Sequence, residues 1–332
     1  MKLSQTHKLD QFGGIDNVNV LTELEQINDF GHKYYFQSAK NVDLTNKGHV
    51  RRRDGYRTRQ TFTGQTVHSL WADGPDCFFM LDDGLCRLNE DLSYTILLSG
   101  FGPLSMNYVK MYNKTFFTNF TEIGWIDEDG VSALPSPTDN FKNPMPAGQL
   151  IEAYNNSLYV ARGNLLYYSD PTMPAQYDYR RGIIPFPSRI TMLKAVDDGL
   201  WVSDSENIYF LGGSTGFDFA AAKRAEYAVI ERSAVGMDGK YLGTDSVSRS
   251  ILMLTHQGIC LGSTGGNFLN LTDERYHGTE GFIVRDAAVR ITRESYQYII
   301  MGYDTASNDT LSLTARMQIP EDAELSMSTP VV

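Results

Sequence analysis

A hydrophobic pair, a polar turn and a second hydrophobic cluster recur along this chain with nearly constant internal spacing. Phe78-Phe79 is followed by Asp82-Asp83-Gly84 and Leu85, Phe116-Phe117 by Asn119 to Glu122 and Ile123, and Leu158-Tyr159 by Arg162-Gly163-Asn164 and Leu165. Leu200-Trp201 is followed by Asp204 to Asn207 and Ile208, and Ile251-Leu252 by His256-Gln257-Gly258 and Ile259. From the second member of each pair to the next cluster the gap is 6, 6, 6, 7 and 7 residues (79 to 85, 117 to 123, 159 to 165, 201 to 208, 252 to 259). Apolar runs this short, bounded by Asp, Asn and Gly, read as strands joined by tight turns. The one helical pattern, Asp218 to Glu226, is one to two turns long between Gly-rich segments and is expected to be a helical insertion.

Each pair is preceded by another turn, at Asp73-Gly74-Pro75-Asp76, Asn113-Lys114, Asn155-Asn156 and Asp197-Asp198-Gly199, with a strand-like piece such as Tyr108 to Tyr112 or Ile151 to Tyr154 before it. Three to four strands per unit follow. The units recur 38, 42, 42 and 51 residues apart (79 to 117, 117 to 159, 159 to 201, 201 to 252), and Tyr298-Ile299 offers a degenerate sixth 47 residues on (252 to 299). A period of roughly 40–50 residues with about four strands is that of a β-propeller blade, a small sheet that must pack on the next blade to cover its faces. The expected fold is therefore an all-β propeller of about five to six blades over residues 61–332, with an extended N-terminal arm over 1–60. A large β-sandwich also has short strands and frequent turns, but does not require a repeat of fixed internal spacing.

Composition agrees with this picture. Of 332 residues, 42% are hydrophobic, 12% aromatic and 21% charged, with 29 glycines, which suits a packed β-rich protein. No apolar run approaches the ~20 residues of a membrane span, so no membrane insertion is expected. The start, Met1 to Asp10, lacks the apolar core of a secretory signal. Cys77, Cys86 and Cys260 form no zinc spacing and read as buried free thiols. The net charge of −11 opposes generic nucleic-acid binding. One basic cluster stands against it: Arg51, Arg52, Arg53, Arg57 and Arg59 fall within nine residues and suit an acidic partner surface.

The first sixty residues lie outside the repeat. Asn41 to Leu44 and His49 to Arg52 read as two strands joined by Thr45-Asn46-Lys47-Gly48, a turn whose Asn and Gly tolerate positive φ. Gly13-Gly14-Ile15-Asp16-Asn17-Val18, Ala39 to Gly48 and Arg51 to Tyr56 together resemble the opening of a group of tailed-bacteriophage virion proteins. In that group a GGI.N start leads to an A.NVD....G.L..R.GY hairpin ahead of a propeller body, as in tail nozzle or hub and tail-tip proteins. The resemblance implies a non-enzymatic structural component of the virion tail, made in the host cytoplasm. Its implied partners are other tail proteins in a homo-oligomeric ring, and host attachment, through a surface glycan, or DNA passage are roles it leaves open. Polar and poor in apolar runs, residues 1–60 cannot offset the entropy of ordering alone. They must pack on the propeller or on another subunit, and the second is expected, so that deleting 1–45 leaves a folded, soluble propeller that no longer enters particles.

Enzymes also use propellers, so the fold class does not by itself exclude catalysis. A sialidase-like site wants Asp-box repeats of the S-x-D-x-G-x-T-W kind, and none occurs. The histidines form no H-x-x-x-H spacing, and there is no G-x-S-x-G elbow or P-loop. No catalytic residue, cofactor or metal is therefore assigned. A pair of carboxylates for glycan hydrolysis, or a carbohydrate-binding face, is the alternative. Asp127-Glu128-Asp129-Gly130 resembles the start of a calcium loop but lacks its distal Glu, and reads as a solvated turn. Trp71, Trp125, Trp201, Tyr154 and Tyr159 occupy strand positions and read as core before they read as a sugar platform. The segment Met173 to Arg181 breaks the strand pattern with two tyrosines, a proline and two arginines, so Tyr177, Tyr179, Arg180 and Arg181 are the preferred interface residues.

Overall fold

A computed structural model of the chain describes residues 12–16, 18–19, 24–28, 31–36, 42–44, 49–52, 58–137, 139–239, 248–272, 275–276, 281–291, 296–305, 309–317 and 325–328. They form two compact units, Tyr56–Ala228 and Met1–Gly55 with Val229–Val332. The first unit holds four successive four-stranded antiparallel sheets and the second holds two more. The first sheet, Val67–Asp73, Asp76–Leu81, Gly84–Leu88 and Tyr94–Ser99, runs as a simple meander, and the others follow the same order.

All five recurring pairs fall on the second strand of a sheet: Asp76–Leu81, Lys114–Thr118, Ser157–Arg162, Gly199–Asp204 and Arg249–Thr255. The sixth, Tyr298-Ile299, lies on the second strand Tyr296–Asp304. A strand between two others in a sheet that is itself packed on both sides buries both its faces, so its sequence is a continuous apolar run. Side-chain alternation then sends the two members of a pair into different cores. Phe78 joins Met80, Tyr108, Phe117 and Ile126 between the first and second sheets. Phe116 joins Val109, Ile151 and Leu158 between the second and third, while Tyr159 joins Leu193, Leu200 and Val202 between the third and fourth. Each such side chain contributes about 1.5–3 kcal/mol on burial.

The turns explain the spacing. Asn155 and Asn156 both have positive φ (45° and 63°), the conformation that two-residue hairpins demand. After the second strand, the Asn119 side chain accepts hydrogen bonds from the Thr121 and Glu122 backbone N–H at 3.2 and 2.8 Å. Asp204 does the same for Glu206 and Asn207 at 2.8 and 2.7 Å. These two Asx turns hold the chain to a set length before the third strand begins.

Two expectations change. Asp218 to Glu226 is no helix: Ala220–Ala225 is the fourth strand of its sheet, paired with Ile208–Gly212. The backbone bonds of that ladder outweigh the helix preference of alanine, a few tenths of a kcal/mol per residue. The N-terminal segment is built into its own unit. Phe12–Ile15 pairs in parallel with Gly31–Phe36. Ile15 is buried with Leu252, Ile259, Tyr298 and Ile300, and Phe36 and Val42 pack on the same core. The expected hairpin is present, Val42–Leu44 against Val50–Arg52. Cys77, Cys86 and Cys260 are free thiols, the last two buried.

Candidate interaction surface

After the third strand of the third sheet, Leu165–Tyr168, the chain leaves the sheet and returns at Ile183–Pro185. The excursion contains Gln176–Asp178, which pairs antiparallel with Lys142–Pro144 from the preceding connection, Asn143 opposite Tyr177. Tyr177 anchors this ribbon: only 9% exposed, it packs edge-on against Tyr167 at 5.1 Å. It is therefore a core residue and leaves the interface set, because its ring completes the core that holds Phe116, Leu158 and Val160.

Asp178 organises what remains exposed. Its carboxylate is 3% exposed and accepts from Arg180 Nε and Nη2 at 3.0 and 2.7 Å and from the Arg180 backbone N–H at 3.0 Å. Arg181 Nε lies 3.5 Å away and Lys142 Nζ 3.9 Å away. Lys142 also pairs closely with Asp170. The bidentate Arg180 holds the Asp178 carboxyl well below the usual carboxylate range, although burial pushes the other way. A carboxyl with a depressed folded pKa stabilises the fold above its unfolded pKa, about 3.9, and loses that contribution as pH falls through the folded value. Asp178→Asn is therefore expected to melt below the native chain at pH 7, with the gap closing as pH drops below about 4. A gap that stayed constant from pH 7 to pH 2 in thermal melts would show the carboxylate charge to be irrelevant.

Held by Asp178, the Arg180 guanidinium lies 4.1 Å from the Phe141 ring centre, and Phe141 approaches Tyr179 at 6.4 Å. Arg181 lies 5.7 Å from the Phe217 ring, and its carbonyl accepts from the Tyr168 hydroxyl at 2.6 Å. Phe141, Tyr179 and Phe217 are 50%, 46% and 74% exposed, so this aromatic and arginine ledge faces solvent. Met173 and Pro174, at the other end of the excursion, line a groove of about 630 Å³ with Tyr112, Trp125 and Pro135. Lys114 covers the Trp125 ring at 3.7 Å and reaches Asp127 at 3.2 Å. Asp127 is thus occupied by an ammonium group, which lowers its pKa, and its turn is closed by the Asp129 N–H at 3.1 Å. Among the described residues no three His, Cys, Asp or Glu side chains come together as a metal site.

Of the remaining expected residues, Tyr179, Arg180 and Arg181 are brought together on the ledge. Arg51 and Arg52 lie exposed on Val50–Arg52, and Arg59 is exposed in the other unit. Arg53 and Arg57 lie outside the described residues. Two of the tryptophans are structural: Trp201 is fully buried, and Trp71 stacks on Phe78 and Tyr108 at 6.1 and 5.8 Å, while Trp125 lines the groove. Phe141, Lys142 and Phe217 were missed by the sequence reading, since they sit in connections without strand periodicity and meet the arginines only through the ribbon.

No protein-family model and no curated protein matches the chain. Among solved structures it resembles the extracellular domain of a hybrid two-component system from B. thetaiotaomicron. The identity is 12% and the TM-score 0.51, over 96% of this chain and 39% of that one. This chain therefore spans well under half the length of that structure. The fold is a β-propeller. Two further similar structures are the Pan2 WD40 domain of Neurospora crassa and Hsv2 of Kluyveromyces lactis. The first shares 12% identity over 79% of this chain and 85% of its own, with a TM-score of 0.46. The second shares 9% over 81% and 98%, with a TM-score of 0.40. At 12% identity the first of these likenesses speaks to fold alone.

Proposed function

We propose that this propeller is a non-enzymatic structural component of a bacteriophage virion tail, of the nozzle, hub or tail-tip type, that docks onto neighbouring tail proteins. The observation that carries the docking part is the ledge of Phe141, Tyr179, Arg180, Arg181 and Phe217. Its Arg180 is pre-positioned by a buried carboxylate and its aromatic rings are left to solvent. Arginine and large aromatic side chains are the residues enriched at the centres of protein interfaces. The particle assignment is supported by the resemblance of residues 10–60 to the tailed-phage group. Against the carbohydrate reading, Trp71 and Trp201 are committed to cores and one face of Trp125 is taken by Lys114.

Mass spectrometry of purified particles of the phage that encodes this chain tests the proposal. Peptides of the chain are expected at a fixed ratio to tail proteins. A chain made during infection yet missing from mature particles would overturn the virion assignment.

A further inference from the structure

We infer that the Met173 groove and the Arg181 end of the ledge form one docking track for an extended segment of another protein, carrying an apolar side chain followed by a carboxylate. The inference rests on the docking part of the proposed function and specifies the chemistry of its partner.

The ribbon residues Gln176–Asp178 join the groove, which Gln176 lines, to the turn that carries Arg181. The groove is walled by Tyr112, Trp125, Pro135, Met173 and Pro174, with Met173 and Tyr112 each 54% exposed. Such a lining favours an apolar or proline-bearing occupant. The strand ends at Asp178, whose carbonyl accepts from the Arg181 and Gly182 N–H at 3.1 and 2.6 Å in a closing turn, so Arg181 stands just beyond the far end of the ribbon. An extended chain rises ~3.3 Å per residue, so a bound segment covers the ribbon residues and the reach of the arginine side chain with roughly four residues.

Charge decides what stands at the far end. Lys114 is paired with Asp127, Lys142 with Asp170, and Arg180 with Asp178. Both oxygens of Asp178 already accept from Arg180, and Arg181 reaches that carboxylate only at 3.5 Å, donating no side-chain hydrogen bond among the described residues. Lys142, Arg180 and Arg181 thus share two carboxylates, Asp170 and Asp178, which leaves one positive charge in surplus here, with Arg181, the cation without a side-chain hydrogen bond to either, 58% exposed. With Phe217 near its face, its edge remains open for a bidentate carboxylate. Nucleic acid is disfavoured because one surplus cation on an acidic chain releases few counterions.

The test uses the full chain and a fluorescein-labelled peptide with a Pro-Leu-Pro block followed four residues later by Asp-Glu, read by fluorescence anisotropy. Saturable binding is expected, weakened about tenfold or more when the peptide acids become Asn-Gln, when the block becomes Ala-Ala-Ala, or in Arg181→Ala. Arg181→Glu should recover binding to a peptide ending in Lys-Lys. The peptide changes leave the protein untouched, so a misfolded variant cannot imitate the result. No saturation up to millimolar chain, equal affinity for the neutral peptide, or equal competition by single-stranded DNA would each overturn the inference. The virion assignment fails on particle composition instead, and either result can stand without the other.

Discussion

Trp201→Ala is expected to remove about 3–5 kcal/mol of stability, the cost of emptying a fully packed aromatic site. Trp201 is completely buried on Gly199–Asp204, a strand with all six residues buried, and its ring packs on Phe210 at 5.2 Å. The strand has partners on both edges, Lys194 and Phe210 being opposite Trp201, so neighbouring backbone cannot close over the void. A domain is stable by about 5–15 kcal/mol in all, so the loss is a large share of the total. Ile96→Ala is the control: on the outer strand of the first sheet and 55% exposed, it should stay within about 0.5 kcal/mol of the native chain. Guanidinium unfolding of both variants measures the difference. Equal midpoints would mean that the recurring pairs are not the packing centres of their sheets.

Deleting residues 1–45 is expected to destabilise the unit that holds Val229–Val332 and leave the chain prone to aggregation, in contrast to the arm packed on another subunit that the sequence suggests. The deletion takes Ile15, Phe36 and Val42 from the core that contains Leu252, Leu254, Tyr298 and Ile300. It also removes Tyr35, buried and lying under the Arg275 guanidinium at 4.9 Å. Four such side chains at about 1.5 kcal/mol each make on the order of 6 kcal/mol, comparable with the stability of a whole domain. Ile15→Ala is the milder form, at about 2–4 kcal/mol. Limited proteolysis of the deleted chain should cut first within residues 229–332. A soluble deleted chain with native protease resistance there would show the segment to be free of the fold, restoring a purely assembly-directed role for it.

The residues that announced themselves in the sequence are those whose contacts are local. A second strand such as Ser157–Arg162 pairs with neighbours only a two-residue turn away, at Asn155-Asn156 and Gly163-Asn164. Its apolar run, its turns and its repeat period therefore sit together in the chain, and the propeller was legible from them. Tertiary structure decided whatever depended on partners distant in sequence. Ala220–Ala225 became a strand because the sheet needed a fourth, not because its residues prefer one. Ile15 entered a core made by residues 237–300, so a segment polar by composition became part of the body. Tyr177 turned inward against Tyr167 while Tyr179, two residues on, stayed exposed, because the strand ends at Asp178 and the chain turns there, a break fixed by the pairing of Gln176–Asp178 with Lys142–Pro144. The same pairing carried Phe141 and Lys142 to Arg180 and Asp178, across some forty residues of sequence that hold no local sign of the meeting.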